Sequence, residues 1–202
     1  MTVCTADRAC ILGAVANGAM TLSIAGRIVE ACWLAIPEHV PHTRTGVCQI
    51  MPNHVHGIIE ITKAHRKPRP CRGAVSPPAS TRTTGTVLSH VRAGGETPPL
   101  HNVGLSDIVA FFKYQATKRI NEGNGTPGRK IFQRSFYDHI VRDDTEHFFT
   151  EQYITLNPLM WSLDRNNPEV EHLTVDQIRR ELREKCGLDD YAVERIVDQN
   201  AW

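Results

Sequence analysis

The sequence lacks long apolar runs, and no stretch approaches the roughly 18 residues that a transmembrane helix needs. We therefore expect no membrane partner. The amino terminus also lacks a basic segment followed by an apolar one, which predicts a cytoplasmic protein. The six cysteines include no Cys-x-x-Cys pair. This absence argues against a zinc knuckle or a disulfide framework and favours reduced thiols.

The chain has almost no net charge, with 23 Lys and Arg against 22 Asp and Glu, but its charges are unevenly spread. Residues 63–134 hold 13 basic residues and three acidic ones. This excess predicts a polyanionic partner, because Lys and Arg that contact phosphates release counterions. For most of 63–92, a basic solvated loop is an equally good interpretation. Residues 165–202 carry six basic and nine acidic residues, so we do not expect them to hold DNA by themselves.

With 202 residues, 41% of them hydrophobic and 22% charged, the chain has the composition of one globular domain with an appendage. Period-two patterns predict strands, and apolar residues at helical spacing predict helices. The expected strands are 1–5, 20–23, 45–51 and 54–61, with extended pieces at 130–133 and 137–141. The expected helices are 24–36, 105–121, 144–156, 174–185 and 189–199.

Proline and capping residues set the expected ends of these helices. Pro37 and Pro41 are expected to end the first helix, and Ser106 is the expected N-cap of the second. Asp144 or Thr145 is expected to cap the third. Residues 64–104 are rich in proline, glycine, serine and threonine, which predicts a long basic insertion. We divide the chain into a domain at 1–164, which includes this insertion, and a helical extension at 165–202.

His54 and His56 are two apart on a predicted strand, so their side chains lie on the same face, with Val55 on the other. Two imidazoles placed in this way suit one divalent ion. The alternative is a pair of polar residues on a solvated strand face. A histidine-triad nucleotide hydrolase is excluded, because that class needs a third alternating histidine and Ile58 occupies its place.

Tyr153 and Asn157 are four apart on a predicted helix and therefore neighbours on one face. A phenol can attack phosphorus, and an amide oxygen one turn away could complete a metal shell. Half-buried packing of a tyrosine near a helix end is the alternative interpretation.

The residues around the histidine pair and around Tyr153 and Asn157 resemble those of a known protein group. The segment MPNHVHGII at 51–59 resembles the signature of HUH single-strand transposases, most of all the REP-associated tyrosine transposases. Three more blocks are similar to that group in the same order: IVAFFK and TKRIN within 108–121, IFQRSFYDHIVR at 131–142, and YITLNP at 153–158. The resemblance spans roughly residues 1–161.

The resemblance implies an α+β fold, a ferredoxin-like domain with a central antiparallel sheet. It implies that His54 and His56 bind Mg²⁺ or Mn²⁺ and that Asn157 stands at the place of the third ligand. Tyr153 would be the nucleophile. The implied activity is single-stranded DNA cleavage and strand transfer through a 5′-phosphotyrosine at hairpin or palindromic ends. Both monomers and homodimers occur in this group, so a homodimer stays open.

Six basic residues of the central segment are candidates for contacts to the DNA backbone. They are Lys113, Lys118, Arg119, Arg129, Lys130 and Arg134. For Phe132 and Phe136 we favour core packing over stacking on unpaired bases. Tyr114 and Tyr137 are weak rivals to the predicted nucleophile, because neither has an amide one turn on.

Two departures from the group keep other functions open. The chain begins within the first predicted strand, without the basic segment that often precedes it, and Phe132 stands where tryptophan is common. A domesticated or truncated protein that holds hairpin DNA without cutting it is therefore the second hypothesis. A relaxase or replication-initiation nuclease of the HUH type fits the histidine pair, but fits the Tyr-x-x-x-Asn-Pro block less well.

Overall fold

The structure is a computed structural model that describes residues 1–62, 104–169 and 174–199. The predicted insertion at 64–104 lies outside the described residues except for Gly104. Five strands are described: β1 (Thr2–Cys4), β2 (Gly13–Ala16), β3 (Ala19–Leu22), β4 (Thr43–Ile50) and β5 (His54–Ile61). Six α-helices are described: α1 (Ile24–Leu34), α2 (Ile36–His39), α3 (Leu105–Asn124), α4 (Asp144–Leu156), α5 (Val175–Cys186) and α6 (Asp190–Gln199). Two short 3-10 helices are Ala6–Arg8 and Trp161–Leu163.

The central sheet is antiparallel, with strand order β1-β5-β4, and β2 and β3 form a separate hairpin. In the register of β1 and β5, Thr2 lies opposite His56 and Cys4 opposite His54. The free edge of β1 pairs with the extended chain beyond α3 through isolated bridges to Phe132 and Tyr137. The short first strand is therefore an interior strand with partners on both sides.

One face of the sheet is covered by α1 and α3, which contact each other, and together they enclose the main apolar core. The Trp33 and Phe112 rings meet edge to face, with centroids 5.9 Å apart. Gly57 makes this packing possible, because a Cβ built there would lie 2.4 Å from the Trp33 ring. Helices with apolar stripes thus pack on an antiparallel sheet, which is an α+β architecture.

The other face of the sheet is covered by α4, which packs on β4 and β5. Behind α4, the pair α5 and α6 encloses a second apolar cluster, against which Tyr153 and Leu156 of α4 also pack. The buried members of this cluster are Met160, Ile178, Leu182, Val193, Ile196 and Val197. Within the described residues, no helix combines the length and the apolar character needed to cross a membrane.

Several helix ends differ from the prediction for local reasons. Pro37 does not end the helical region but occupies the first turn of the short helix α2, where a missing N–H costs nothing. Ser106 is not the cap of α3: the helix begins after Gly104, whose N–H donates to the Asp107 carboxylate at 3.0 Å. The cap of α4 is likewise one residue earlier, at Asp143, whose carboxylate accepts from the Glu146 N–H at 2.8 Å.

Candidate metal centre and adjoining basic groove

His54 and His56 project from the same face of β5, and both are buried, at 0% and 6% exposure. Val55 between them lies in the apolar core on the opposite face, as the alternation predicts. The histidines are covered by the end of α4 and the segment that follows it: the rings of His54 and Trp161 lie 6.1 Å apart. The alternative of a solvated strand face is therefore wrong.

Both imidazoles are held through their Nδ1 atoms. His54 Nδ1 lies 2.9 Å from Asn53 Oδ1, and His56 Nδ1 lies 2.9 Å from Thr2 Oγ1. The Asn53 amide donates through Nδ2 to the carbonyls of Arg8 and Asn166, which fixes its oxygen toward His54. His54 Nδ1 must therefore carry the proton, and its Nε2 keeps a lone pair. The Nε2 atoms of both histidines are buried and have no hydrogen-bond partner among the described residues.

The carboxylate of Asp164 lies beside the two histidines. Its Oδ2 lies 3.4 Å from His54 Nε2, and the residue is 4% exposed. The other oxygen, Oδ1, accepts from the backbone and side-chain nitrogens of Asn166 at 2.7 and 3.0 Å. One ligand atom from each of His54, His56 and Asp164 lies within 4.8 Å of the others. This buried group could hold a metal ion, because two imidazoles and one carboxylate are a common donor set for divalent metals.

Burial keeps both histidines in the form that binds metals. The pKa of His54 is lowered, chiefly by burial and also by Arg8, although the Asp164 carboxylate and the nearby side-chain amide of Asn157 oppose this shift. The pKa of His56 is lowered further by burial, by His54 and by the terminal amino group. Both rings are therefore neutral near pH 7, with Nε2 available to a cation.

Tyr153 and Asn157 lie beside this group at the end of α4. The Tyr153 ring meets the His56 ring edge to face, with centroids 5.3 Å apart. Asn157 is 2% exposed and donates to the Tyr153 carbonyl at 3.2 Å. Burial and the nearby Asp164 carboxylate raise the pKa of the Tyr153 phenol, whereas a hydrogen bond with Asn157 and the charge of Arg165 lower it. The two residues thus contact the histidine pair from a distant part of the chain.

A cleft of about 320 Å³ opens onto these residues; we call it the site cleft. Its lining includes His56, Tyr153 and Asp164, and also Arg8 and Arg165. Tyr137, a rival nucleophile in the sequence, lines the same cleft and is 61% exposed. The cleft therefore joins both titratable phenols to the group that could hold a metal.

A second depression, of about 750 Å³, runs between α3 and the extended chain at 128–134; we call it the basic groove. It is lined by five of the six predicted DNA contacts, namely Lys113, Lys118, Arg129, Lys130 and Arg134. The sixth, Arg119, is not among its lining residues and instead acts electrostatically on Cys32 of α1. Gln133 lines both the basic groove and the site cleft, so the two depressions adjoin.

Two groove residues have packing roles. The Lys113 ammonium donates to the carbonyls of Gln133, Arg134 and Ser135, the last two at 2.9 and 3.5 Å. It thereby braces the chain that pairs with β1. Phe132 is 8% exposed and Phe136 packs against the core, in agreement with the predicted packing role for both.

Asp164, Asn53 and Thr2 are the residues of the site that sequence reasoning missed as site residues. Asp164 has no periodic pattern around it, and it meets His54 only through folding. Asn53 lies directly before the histidine pair, so its position was available in the sequence as a signal. Thr2 becomes relevant only through the register of β1 and β5.

The chain is similar to an uncharacterized protein of Haemophilus influenzae, with 29% identity over 170 residues that cover 82% of each chain. No protein-family model matches the chain, and no solved structure matches it.

Proposed function

We propose that the protein cleaves and rejoins single-stranded DNA through Tyr153, in the manner of the REP-associated tyrosine transposases of the HUH superfamily. The observation that carries the proposal is the contact between the rings of Tyr153 and His56, beside the convergent ligand atoms of His54 and Asp164. A nucleophile, a candidate cation site and a cleft thus occur together. The adjoining basic groove supplies a surface for a polyanion.

The arrangement of elements supports the ferredoxin-like interpretation of the α+β fold. Without the β2–β3 hairpin and the short helix α2, the chain order is β1, α1, β4, β5, α3 and the extended chain at 131–137. This is a β-α-β-β-α-β sequence of elements. In space the extended chain pairs with β1, β1 with β5, and β5 with β4. Helices α1 and α3 cover one face, which leaves the histidine face for the site.

The donor set fits a divalent cation held by His54, His56 and Asp164, with Mg²⁺ or Mn²⁺ as the proposed metal. When bound, the cation would act as a Lewis acid on a non-bridging phosphate oxygen and orient the scissile bond. Imidazoles are not the preferred ligands of Mg²⁺, which keeps several waters, so Mg²⁺ binding is expected to be weak and exchangeable. The side-chain amide of Asn157 acts on the pKa values of both His54 and Tyr153, so it lies beside the site and is also a candidate ligand.

Tyr153 performs the covalent step. Its phenolic oxygen attacks phosphorus, the bond from phosphorus to the 3′ oxygen breaks, and the phenolic proton is balanced by the proton gained by the leaving 3′ oxygen. The products are a 5′-phosphotyrosine and a free 3′-OH. A second 3′-OH can then attack the phosphotyrosine, so strands are rejoined without ATP. Hairpin or palindromic element ends are the proposed substrates.

The experiment tests for a covalent adduct. A pool of hairpin oligonucleotides with randomised single-stranded flanks, labelled at the 3′ end, is incubated with the protein and Mn²⁺ and resolved on a denaturing gel. We expect an SDS-stable labelled adduct with wild type, which disappears with EDTA and with Tyr153→Phe. Tyr137→Phe is the matched control, because Tyr137 lines the same cleft, and it should retain the adduct. An adduct that survives in Tyr153→Phe refutes the proposed nucleophile.

The second candidate is a protein that holds hairpin DNA without cutting it. It is favoured by the basic groove, whose four lining cations other than Lys113 can bind DNA without any contribution from Tyr153. The same oligonucleotide pool distinguishes the two functions. Retention of DNA on a native gel with no adduct under any metal condition supports binding alone.

A further inference from the structure

We propose that Arg8 and Arg165 bind the phosphate group of the DNA strand that enters the site cleft. We call these two residues the arginine pair. The inference rests on the proposed function and extends it, because neither residue belongs to any motif of the histidine or tyrosine segments. The inference is based on one observation: the two arginines line the same cleft as Tyr153 and His56.

The arginine pair comes from two distant parts of the chain that meet at the cleft. Arg8 Nη1 donates to the backbone carbonyl of Arg165 at 3.3 Å, and both residues are exposed. Their charges reach the site: Arg8 acts on His54, Arg165 acts on Tyr153, and both act on Cys4. Two cations therefore lie beside the nucleophile and the candidate ligands.

The backbone around Arg8 is held in an uncommon conformation. Asp7 and Arg8 have φ angles of 53° and 52°, a region that residues with a side chain seldom adopt. The turn is pinned by Thr5, which is fully buried and whose hydroxyl donates to the carbonyls of Ala9 and Asn53. Strained backbone of this kind persists where neighbouring contacts over-determine it, and it concentrates at functional sites.

The same amide that orients His54 also holds this turn. Asn53 Nδ2 donates to the Arg8 carbonyl at 3.1 Å, while Asn53 Oδ1 accepts from His54 Nδ1 at 2.9 Å. Asn53 Nδ2 also donates to the carbonyl of Asn166, the residue after Arg165. One buried side chain thus fixes the backbone beside both arginines relative to the histidine pair.

The chemistry of phosphoryl transfer calls for cations at this place. A phosphodiester carries one negative charge, and attack by a phenol concentrates charge on its non-bridging oxygens. The Asp164 carboxylate in the cleft would repel that charge. Guanidinium groups offset the repulsion, and their planar fork of donors matches two phosphate oxygens.

The first measurement is the salt dependence of DNA binding. A fluorescent single-stranded oligonucleotide of mixed sequence is titrated with protein in the Tyr153→Phe background with Mn²⁺, by anisotropy at several salt concentrations. Each lost phosphate contact should reduce the slope of log K against log salt by about 0.7 for a single strand. We expect that reduction for Arg8→Gln and for Arg165→Gln. Arg27→Gln is the matched control, since Arg27 is exposed and donates to a carbonyl, that of Leu22, but does not line the cleft.

The second measurement is the rate of adduct formation at saturating DNA. Loss of one preorganised donor to a developing oxyanion costs about 10²-fold to 10³-fold in rate, and we expect a fall of that order for Arg165→Gln. Arg165→Lys should keep the salt slope but recover only part of the rate, because lysine keeps the charge and loses the fork. Mn²⁺ affinity without DNA should not fall in any of these variants, because each keeps all the candidate ligands and the glutamine variants remove a positive charge beside them.

The two measurements separate this inference from the proposed function. If both glutamine variants match Arg27→Gln in salt slope, the arginine pair does not bind phosphate and the inference is overturned, whether or not wild type forms an adduct. If wild type forms no adduct but the slopes fall as expected, the covalent function is refuted and the phosphate-binding role stands. Circular dichroism spectra that match wild type confirm that each variant is folded.

Discussion

The two faces of β5 are both buried, yet they differ in what burial accomplishes. On one face Gly57 packs against the Trp33 ring of α1, and Val55 is part of the apolar core. On the other face His54 and His56 are also buried, but each keeps a ring nitrogen that has no hydrogen-bond partner in the part of the chain that the structure describes. The apolar face stabilises the fold. The histidine face stabilises it less, because burying ring nitrogens without partners costs free energy.

This difference indicates which face of β5 could bind a cation. A buried polar atom without a partner costs about 1–3 kcal/mol, and natural structures contain few of them. Here His54 Nε2, His56 Nε2 and Asp164 Oδ2 are three such atoms that point to one place. A cation would satisfy all three at once, which is why this face, and not the apolar one, is the candidate site.

The largest effect is expected from damage to the apolar face. Phe112→Ala removes a ring that is 1% exposed and packs edge to face on Trp33. We expect the free energy of unfolding to fall by about 3–5 kcal/mol, because a large cavity replaces the ring. Urea unfolding measures the loss, and Mn²⁺ titration of the folded fraction should give unchanged affinity. A loss of metal affinity at constant foldedness would show that the two faces are not independent.

The two histidines on the polar face of β5 should make the free energy of unfolding depend on pH. The pKa values of His54 and His56 are lowered from 6.5 by burial, so the unfolded chain binds protons that the folded chain does not. In EDTA the free energy of unfolding should therefore fall as pH drops below 6.5, by up to about 1.4 kcal/mol per pH unit for each histidine. Urea unfolding at pH 7.5, 6.5 and 5.5 measures this slope.

His56→Leu provides the control for the pH experiment. It removes one of the two depressed pKa values and should cut the slope between pH 6.5 and 5.5 by about half. An unchanged slope in this variant would mean that other groups cause the acid loss.

A smaller and more selective effect, on metal affinity, is expected when Asn53 is replaced. Asn53→Ala removes the acceptor that orients His54, and such supporting contacts cost about 10–100-fold in metal affinity. Asn121→Ala is the matched control, because Asn121 is also buried and donates to a carbonyl, that of Arg129, but does not line the site cleft. Mn²⁺ titration by calorimetry measures both. Equal affinities in the two variants would contradict the orienting role.

Local patterns were enough to predict most of the secondary structure. β5 occupies the predicted range, because its alternation and bounding residues are local signals, and α4 ends at the residue before Asn157 as expected. The errors lie at boundaries where a neighbouring residue competes: Asp107 reaches back to Gly104, so α3 starts without Ser106 as its cap. The β2–β3 hairpin was only half predicted, because Gly13–Ala16 has small side chains that carry little periodic signal.

The candidate site was predictable where it depends on short sequence spacing. The shared face of His54 and His56 follows from strand geometry alone, and the approach of Tyr153 was expected from the family resemblance. Asp164 was not predictable, since it lies in an irregular segment and meets His54 only through the packing of α4 on the sheet. The same holds for Arg8, whose place depends on a turn fixed by buried Thr5 and Asn53.

Asp164 follows His54 by about 110 positions in the sequence, and this separation has a consequence for biosynthesis. The two histidines leave the ribosome first, and the carboxylate that meets them is synthesised more than 100 residues later. Contacts between such distant residues form late, because a long loop must close first. A nascent chain therefore lacks the complete group that could hold a cation until Asp164 has been synthesised and the segment after α4 has packed on the sheet.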